Sequence, residues 1–187
     1  VWGEPKKLQI KIDSLGTAGH PALNGDETVL IFSSDISGGY GGKDLWMVKK
    51  EQRGKWSLPI NLGPAVNTSG DEMFPFLHND ASLYFASNGH IGMGGMDIFK
   101  SVEDENGAYS NIINLKSPVN SSGDDFGMII EASGERGYLT SDRDGGKGGD
   151  DIYQFELPPL VFSLRGVVTD SKTGAIITNA SVKLLGS

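Results

Sequence analysis

The sequence predicts an all-β protein, and three observations predict it. Short runs of aromatic and β-branched residues alternate with clusters of turn-forming residues. The 27 glycines gather between those runs and show no collagen-like period. No run keeps a helical spacing of apolar residues over two turns. Hydrophobic residues make up 37% of the 187, enough to fill a core.

The runs belong to a repeat. Gly41-Gly42-Lys43-Asp44-Leu45-Trp46, Gly94-Gly95-Met96-Asp97-Ile98-Phe99 and Gly148-Gly149-Asp150-Asp151-Ile152-Tyr153 share one pattern. Their aspartates, Asp44, Asp97 and Asp151, are separated by 53 and 54 residues. Upstream lie Ile31-Phe32-Ser33-Ser34-Asp35, Tyr84-Phe85-Ala86-Ser87-Asn88 and Tyr138-Leu139-Thr140-Ser141-Asp142, in which Ser34, Ser87 and Ser141 keep the same intervals. A third element occurs twice: the run from Asn61 to Asp71, NLGPAVNTSGD, matches the run from Asn114 to Asp124, NLKSPVNSSGD.

Each unit reads as four strands. In the middle unit they are 72–78, 82–88, 97–103 and 109–115, with turns at 78–80 and 89–95. A period of roughly 40–55 residues holding four strands is the arithmetic of β-propeller blades. Such a blade is covered on both faces by its neighbours, which accounts for the nearly continuous apolar run Met73-Phe74-Pro75-Phe76-Leu77. The fold expected is thus three four-stranded blades of a partial propeller. Trp46, Phe99 and Tyr153 share one core slot, and Trp56 matches Tyr109.

The segments HPALNGDETVLIFSSD and FPFLHNDASLYFASN, each followed by Gly-Gly-x-Asp and an apolar-aromatic pair, resemble the WD40-like, Asp-rich PD40 blade repeats of TolB and its relatives. The resemblance covers roughly residues 6–157. The connection NLGPAVNTSGDEMFP is similar to that of OmpA-family envelope proteins, some linked to type IX secretion. In these, blades precede a carboxypeptidase-regulatory-like domain and a peptidoglycan-binding domain. The resemblance implies a periplasmic or outer-membrane-associated scaffold with envelope protein partners, reaching peptidoglycan only through a downstream domain.

At the first end, residues 7–15 resemble the fourth strand of a blade. The third unit has three strands of its own, ending near 154–156. Leu8, Ile10 and Ile12 alternate with Lys7, Gln9 and Lys11, so 7–12 is expected to supply the fourth by pairing near 151–155 of the same or a neighbouring chain. Pro158-Pro159 divides the chain into 1–157 and 158–187. The second part, with Leu164-Arg165-Gly166-Val167-Val168, a turn at 170–174 and Ala180-Ser181-Val182-Lys183-Leu184, resembles the opening of a carboxypeptidase-regulatory-like β-sandwich. Three blades are too few for a ring, since propellers have about four to eight. A longer chain, a head-to-tail pair of copies and an open arc each meet that shortfall.

Candidate sites are few. Asp142, Asp144 and Asp150 offer oxygen ligands of the kind calcium takes, without the spacing that reaches a bidentate Glu. Asp44, Asp97 and Asp151 recur beside Gly-Gly and read as turn caps bonding backbone N–H groups. His20, His78 and His90 read as structural or solvated. The glycine-rich loops 37–43, 89–95 and 144–149 lie between strands, unlike the strand-to-helix loops that hold phosphates. They serve in this reading as adaptable loops. No G-x-S-x-G or H-E-x-x-H motif occurs, and the acids are periodic, as scaffold residues are. No enzyme activity and no cofactor are expected.

Composition limits the partners. A formal charge of −8 without a basic cluster argues against nucleic acid. No apolar run approaches the roughly 20 residues of a membrane span. The absence of cysteine excludes disulfides and thiolate sites. The function expected is a non-enzymatic protein-binding scaffold. The alternatives are a glycan- or peptide-binding propeller and an accessory propeller of a hydrolase.

Overall fold

A computed structural model of the chain describes residues 3–12, 16–157 and 166–183. The chain divides into two compact units, Val1–Leu157 and Pro158–Ser187. Among its described residues the first is all-β, with a single 3₁₀ turn at Gln52–Gly54.

Among the described residues eleven strands form three antiparallel sheets, each a meander in chain order. Sheet 1 holds β1 (Ala18–Leu23), β2 (Val29–Ser34), β3 (Asp44–Lys49) and β4 (Ile60–Asn61). Sheet 2 holds β5 (Glu72–Leu77), β6 (Ser82–Ser87), β7 (Asp97–Val102) and β8 (Ile113–Asn114). Sheet 3 holds β9 (Asp125–Ile130), β10 (Arg136–Ser141) and β11 (Asp151–Glu156). The registers repeat: Ser34 faces Asp44, Ser87 faces Asp97, and Ser141 faces Asp151.

The sheets lie in a row, and apolar side chains join them. Ile31, Leu45 and Met47 of sheet 1 meet Leu77, Leu83, Phe85 and Phe99 of sheet 2. Tyr84 and Ile98, on the other face of sheet 2, meet Met128, Ile130 and Leu139 of sheet 3. A face directed at the following sheet is called forward here, and the opposite one back. Burial follows from this order. Every residue of β6 is buried, because sheet 2 is covered on both sides. Strands β10 and β11 alternate in exposure, because sheet 3 is covered on its back face only. Each fully buried aromatic or large aliphatic side chain here stabilises the fold by about 1.5–3 kcal/mol.

Two expectations need correction. The outer strands are shorter than predicted: 109–115 reduces to Ile113–Asn114 plus a lone bridge between Glu103 and Tyr109. Sheet 1 does likewise, where Pro59, which has no N–H, precedes the two-residue β4. Among the described residues the third unit has three strands of its own, as its sequence indicates, and nothing fills the place of a fourth. Residues 7–12 form no strand and do not pair with β11. The Ile12 amide donates to the Ile10 carbonyl at 3.1 Å, a tight turn incompatible with an extended edge strand. Ile10 and Ile12 instead cover the back of sheet 1, against Leu30, Phe32, Trp46 and Val48.

In the second unit the described residues hold one bridge, Thr169 to Ile176, around a turn. Asp170 caps that turn by accepting from the Lys172 and Thr173 amides. The strand expected at 164–168 lies partly outside the described residues. The described part of 180–184 carries no strand.

Candidate functional site

The repeated polar residues form one bonding pattern, copied from sheet to sheet. Asp44 accepts the amides of Tyr40 (2.7 Å) and Gly41 (3.1 Å). Asp97 accepts those of Met93 (2.8 Å) and Gly94 (3.0 Å). Asp151 accepts those of Lys147 (2.7 Å) and Gly148 (3.2 Å). Each aspartate thus closes the glycine-rich loop before its strand. Asp44 and Asp97 are 1% exposed. The Asp44 carboxylate also accepts Asn61 Nδ2 at 2.7 Å, whereas Oδ1 of Asp97 is buried without a partner.

The serines opposite them serve the same corner. Ser34 Oγ donates to the Thr17 carbonyl, and Ser87 Oγ donates to Glu72 Oε1 at 2.6 Å. Ser141 Oγ accepts from the backbone and Nε of Arg143.

Two buried acids and two asparagines complete the pattern, and the sequence reading gave none of them a role. Glu72 is fully buried and accepts the Thr68 amide and hydroxyl. At the matching place Asp125 accepts the Ser121 amide and hydroxyl, and Arg143 reaches its other oxygen to form an ion pair. The shorter side chain and the added guanidinium compensate each other. Asn67 and Asn120 each bond one strand residue twice: Leu45 N–H and C=O, and Ile98 N–H and C=O. Each thereby ties the connecting loop to a strand of the sheet before it. The signal for all four was present in the repeated run Val-Asn-x-Ser-Gly-Asp-acid.

The Gly-Gly pair is the meeting point of neighbours. A Cβ at Gly41 would collide with the carbonyls of Thr68 and Gly70, and one at Gly94 with those of Ser121 and Gly123. Gly42 N–H donates to Gly70 C=O, and Gly95 N–H to Gly123 C=O. The next amides, of Lys43 and Met96, donate to Asp71 at 2.8 Å and Asp124 at 2.7 Å. In the third unit a Cβ at Gly148 or Gly149 would touch nothing.

An aromatic row crosses the three first strands. His20 stacks on Phe74 with ring centroids 4.0 Å apart, and Phe74 lies 4.8 Å from Phe126. His20 (φ 49°), Phe74 (φ 52°) and Gly127 (φ 62°) occupy equivalent places, where each first strand slips register. A non-glycine residue in that conformation is strained by roughly 1–3 kcal/mol, a feature that gathers at functional sites. Around the row runs a shallow groove of about 300 Å³, lined by His20, Leu23, Phe74, Phe76, Met128 and Ile129 among others. Burial, aided by the charge of Lys43, holds the His20 pKa below its ordinary value, and its Nδ1 is buried without a partner.

The remaining candidates do not converge. His78 joins Asp80 (2.9 Å) to the Glu131 carbonyl, and His90 donates through Nε2 to the Val66 carbonyl at 2.8 Å and through its amide to Ser87 Oγ at 3.2 Å. Asp142 accepts the Asp124 amide, while Asp144 and Asp150 are exposed. Among the described residues no group of three or more His, Asp or Glu is placed to hold a metal ion. No helix among them is long and apolar enough to cross a membrane.

The fold and these contacts define a class: a repeat protein of antiparallel sheets packed face to face. No family model matches the chain, and no curated protein matches it. Among solved structures it is similar to an α-L-arabinofuranosidase from Lactobacillus brevis, at 8% identity and a TM-score of 0.42. That alignment covers all of this chain and 62% of the other, so the chain spans less than two thirds of that protein's length.

Proposed function

We propose that the chain is a run of β-propeller blades acting as a non-catalytic, protein-binding scaffold of the bacterial cell envelope. The observation that supports it most is the division of labour among side chains. Among the described residues the repeated Asp, Ser, Asn and Glu groups bond to the backbone and to each other, and the Ser87–Glu72 pair is sealed inside the fold. One apolar patch is left open: the groove crosses three sheets, and Leu23 and Ile129 at its rim are 46% and 52% exposed. Rigid aromatic anchors in such a groove are what a protein partner uses. The envelope location, and peptidoglycan anchoring through a downstream domain, rest on the PD40-like and OmpA-family resemblance.

A second reading has one specific observation behind it. The stacked His20–Phe74–Phe126 row presents flat ring surface, which also suits the apolar face of a sugar or a proline-rich peptide. A photo-crosslinker at position 129, used in the native envelope, separates the two. Adducts with one protein other than a second copy of this chain, lost in Leu23→Asp and unaffected by added peptidoglycan fragments, support the scaffold. Adducts suppressed by those fragments favour the glycan reading, and a pattern unchanged by Leu23→Asp overturns both.

A further inference from the structure

The third sheet carries the apolar residues and the glycine pair that the inner sheets use to hold a neighbour. Ile31 and Leu45 point forward from sheet 1 and are buried by sheet 2; Tyr84 and Ile98 do the same between sheets 2 and 3. Their counterparts in sheet 3, Tyr138 and Ile152, are 47% and 78% exposed. Beside them Gly148-Gly149-Asp150 keeps the glycine pair that Gly41-Gly42 and Gly94-Gly95 need in order to approach a following loop. Side chains would be tolerated at 148 and 149 within this chain, yet both positions are glycine. These two features, one apolar and one backbone, make a socket.

The matching plug is at the other end of the row. The Gly70-Asp71 and Gly123-Asp124 loops that fill the inner sockets have their second amide bonded to Asn88 and Asp142. Gly16-Thr17 stands at the same place before sheet 1, and the Thr17 amide donates to Asp35 in the same way, at 2.5 Å. Thr17 replaces the aspartate, and its hydroxyl oxygen is still an acceptor. Behind it lies the back face of sheet 1, with Leu30, Phe32, Trp46 and Val48. Its cover is Ile10 and Ile12, from a segment without strands whose other described residues are exposed.

We propose that the forward face of sheet 3 binds a second copy of this chain, head to tail. The second copy presents sheet 1, with residues 3–12 displaced, so that Gly16-Thr17 seats on Gly148-Gly149-Asp150. The contact is heterologous, and two copies close a ring when each fills the other's socket. It rests on the correspondence of the sheets and not on the scaffold role.

Sedimentation of the whole chain tests it. The expected mass is twice 19.9 kDa. Ile152→Glu, at an exposed position that leaves the single-chain fold intact by circular dichroism, weakens association by at least about tenfold. Ile91→Glu, at a site 96% exposed on a different loop, leaves it unchanged. Because the chain has no cysteine, Gly149→Cys in one copy and Thr17→Cys in another should form a disulfide on mixing, and neither should do so alone. A single-chain mass at all concentrations, a dimer insensitive to Ile152→Glu, or cross-links only between like variants overturns the proposal.

Discussion

Sheets 2 and 3 carry nearly the same side chains at equivalent places and differ mainly in what covers them. Ile98 is 1% exposed and Ile152 is 78% exposed, although both follow the loop-closing aspartate of their repeat. Gly94 is pressed against the following loop, and Gly148 is free of any neighbour. A residue's worth in a repeat protein is therefore set by its neighbours as much as by its own sheet, as expected where stability is a sum of units and interfaces.

Four measurements, made on dilute single chains, break or sharpen that comparison. The largest effect is expected from Ile98→Ala, which removes buried volume between sheets and should cost about 2–5 kcal/mol. Ile152→Ala should stay within about 0.5 kcal/mol; equal losses in denaturant titrations would refute the difference. Next comes Gly94→Ala, whose new methyl meets fixed carbonyls and should cost about 1–3 kcal/mol. Gly148→Ala should be close to neutral in the same titration.

Asp97→Ala follows, losing two amide bonds in a buried corner, at about 1–2 kcal/mol. Asp151→Ala loses the same two bonds in a half-exposed one and should cost less than about 1 kcal/mol. Thermal unfolding of the two variants side by side ranks them.

The smallest effect concerns pH. The folded pKa of His20 is depressed by burial first and Lys43 second, so the unfolded chain binds a proton more readily. Stability from this group is whole above the unfolded value near 6.5 and is lost as pH falls below it. Melting temperature should drop on acidification from pH 7 to 5. His20→Phe should flatten that slope, and an unchanged slope would remove His20 from the account.

The sheets were legible in the sequence because their strands are short, aromatic and separated by glycine turns, and because one pattern recurs three times. The loop-closing role given to Asp44, Asp97 and Asp151 matches the bonds they make. Residues 7–12 misled for a physical reason. Alternation of Leu8, Ile10 and Ile12 specifies a two-sided segment but not its partner, and the back of sheet 1 offers more apolar surface than one strand edge. The aromatic row was hidden because it depends on backbone bulges: His20 and Phe74 become equivalent only when the slipped register is known. Glu72 and Asp125 drew no role from the sequence reading, since nothing in a charged letter announces its burial.

The most direct test of the row of sheets is hydrogen exchange of β7 against β11, at a dilution where sedimentation shows single chains. Strand β7 is bonded on both edges and covered on both faces, whereas β11 is bonded only to β10 and open in front. Amides in 97–102 should exchange at least about 100-fold more slowly than those in 151–156. Equal protection of the two strands would contradict the account, because it would mean that sheet 3 is covered as sheet 2 is.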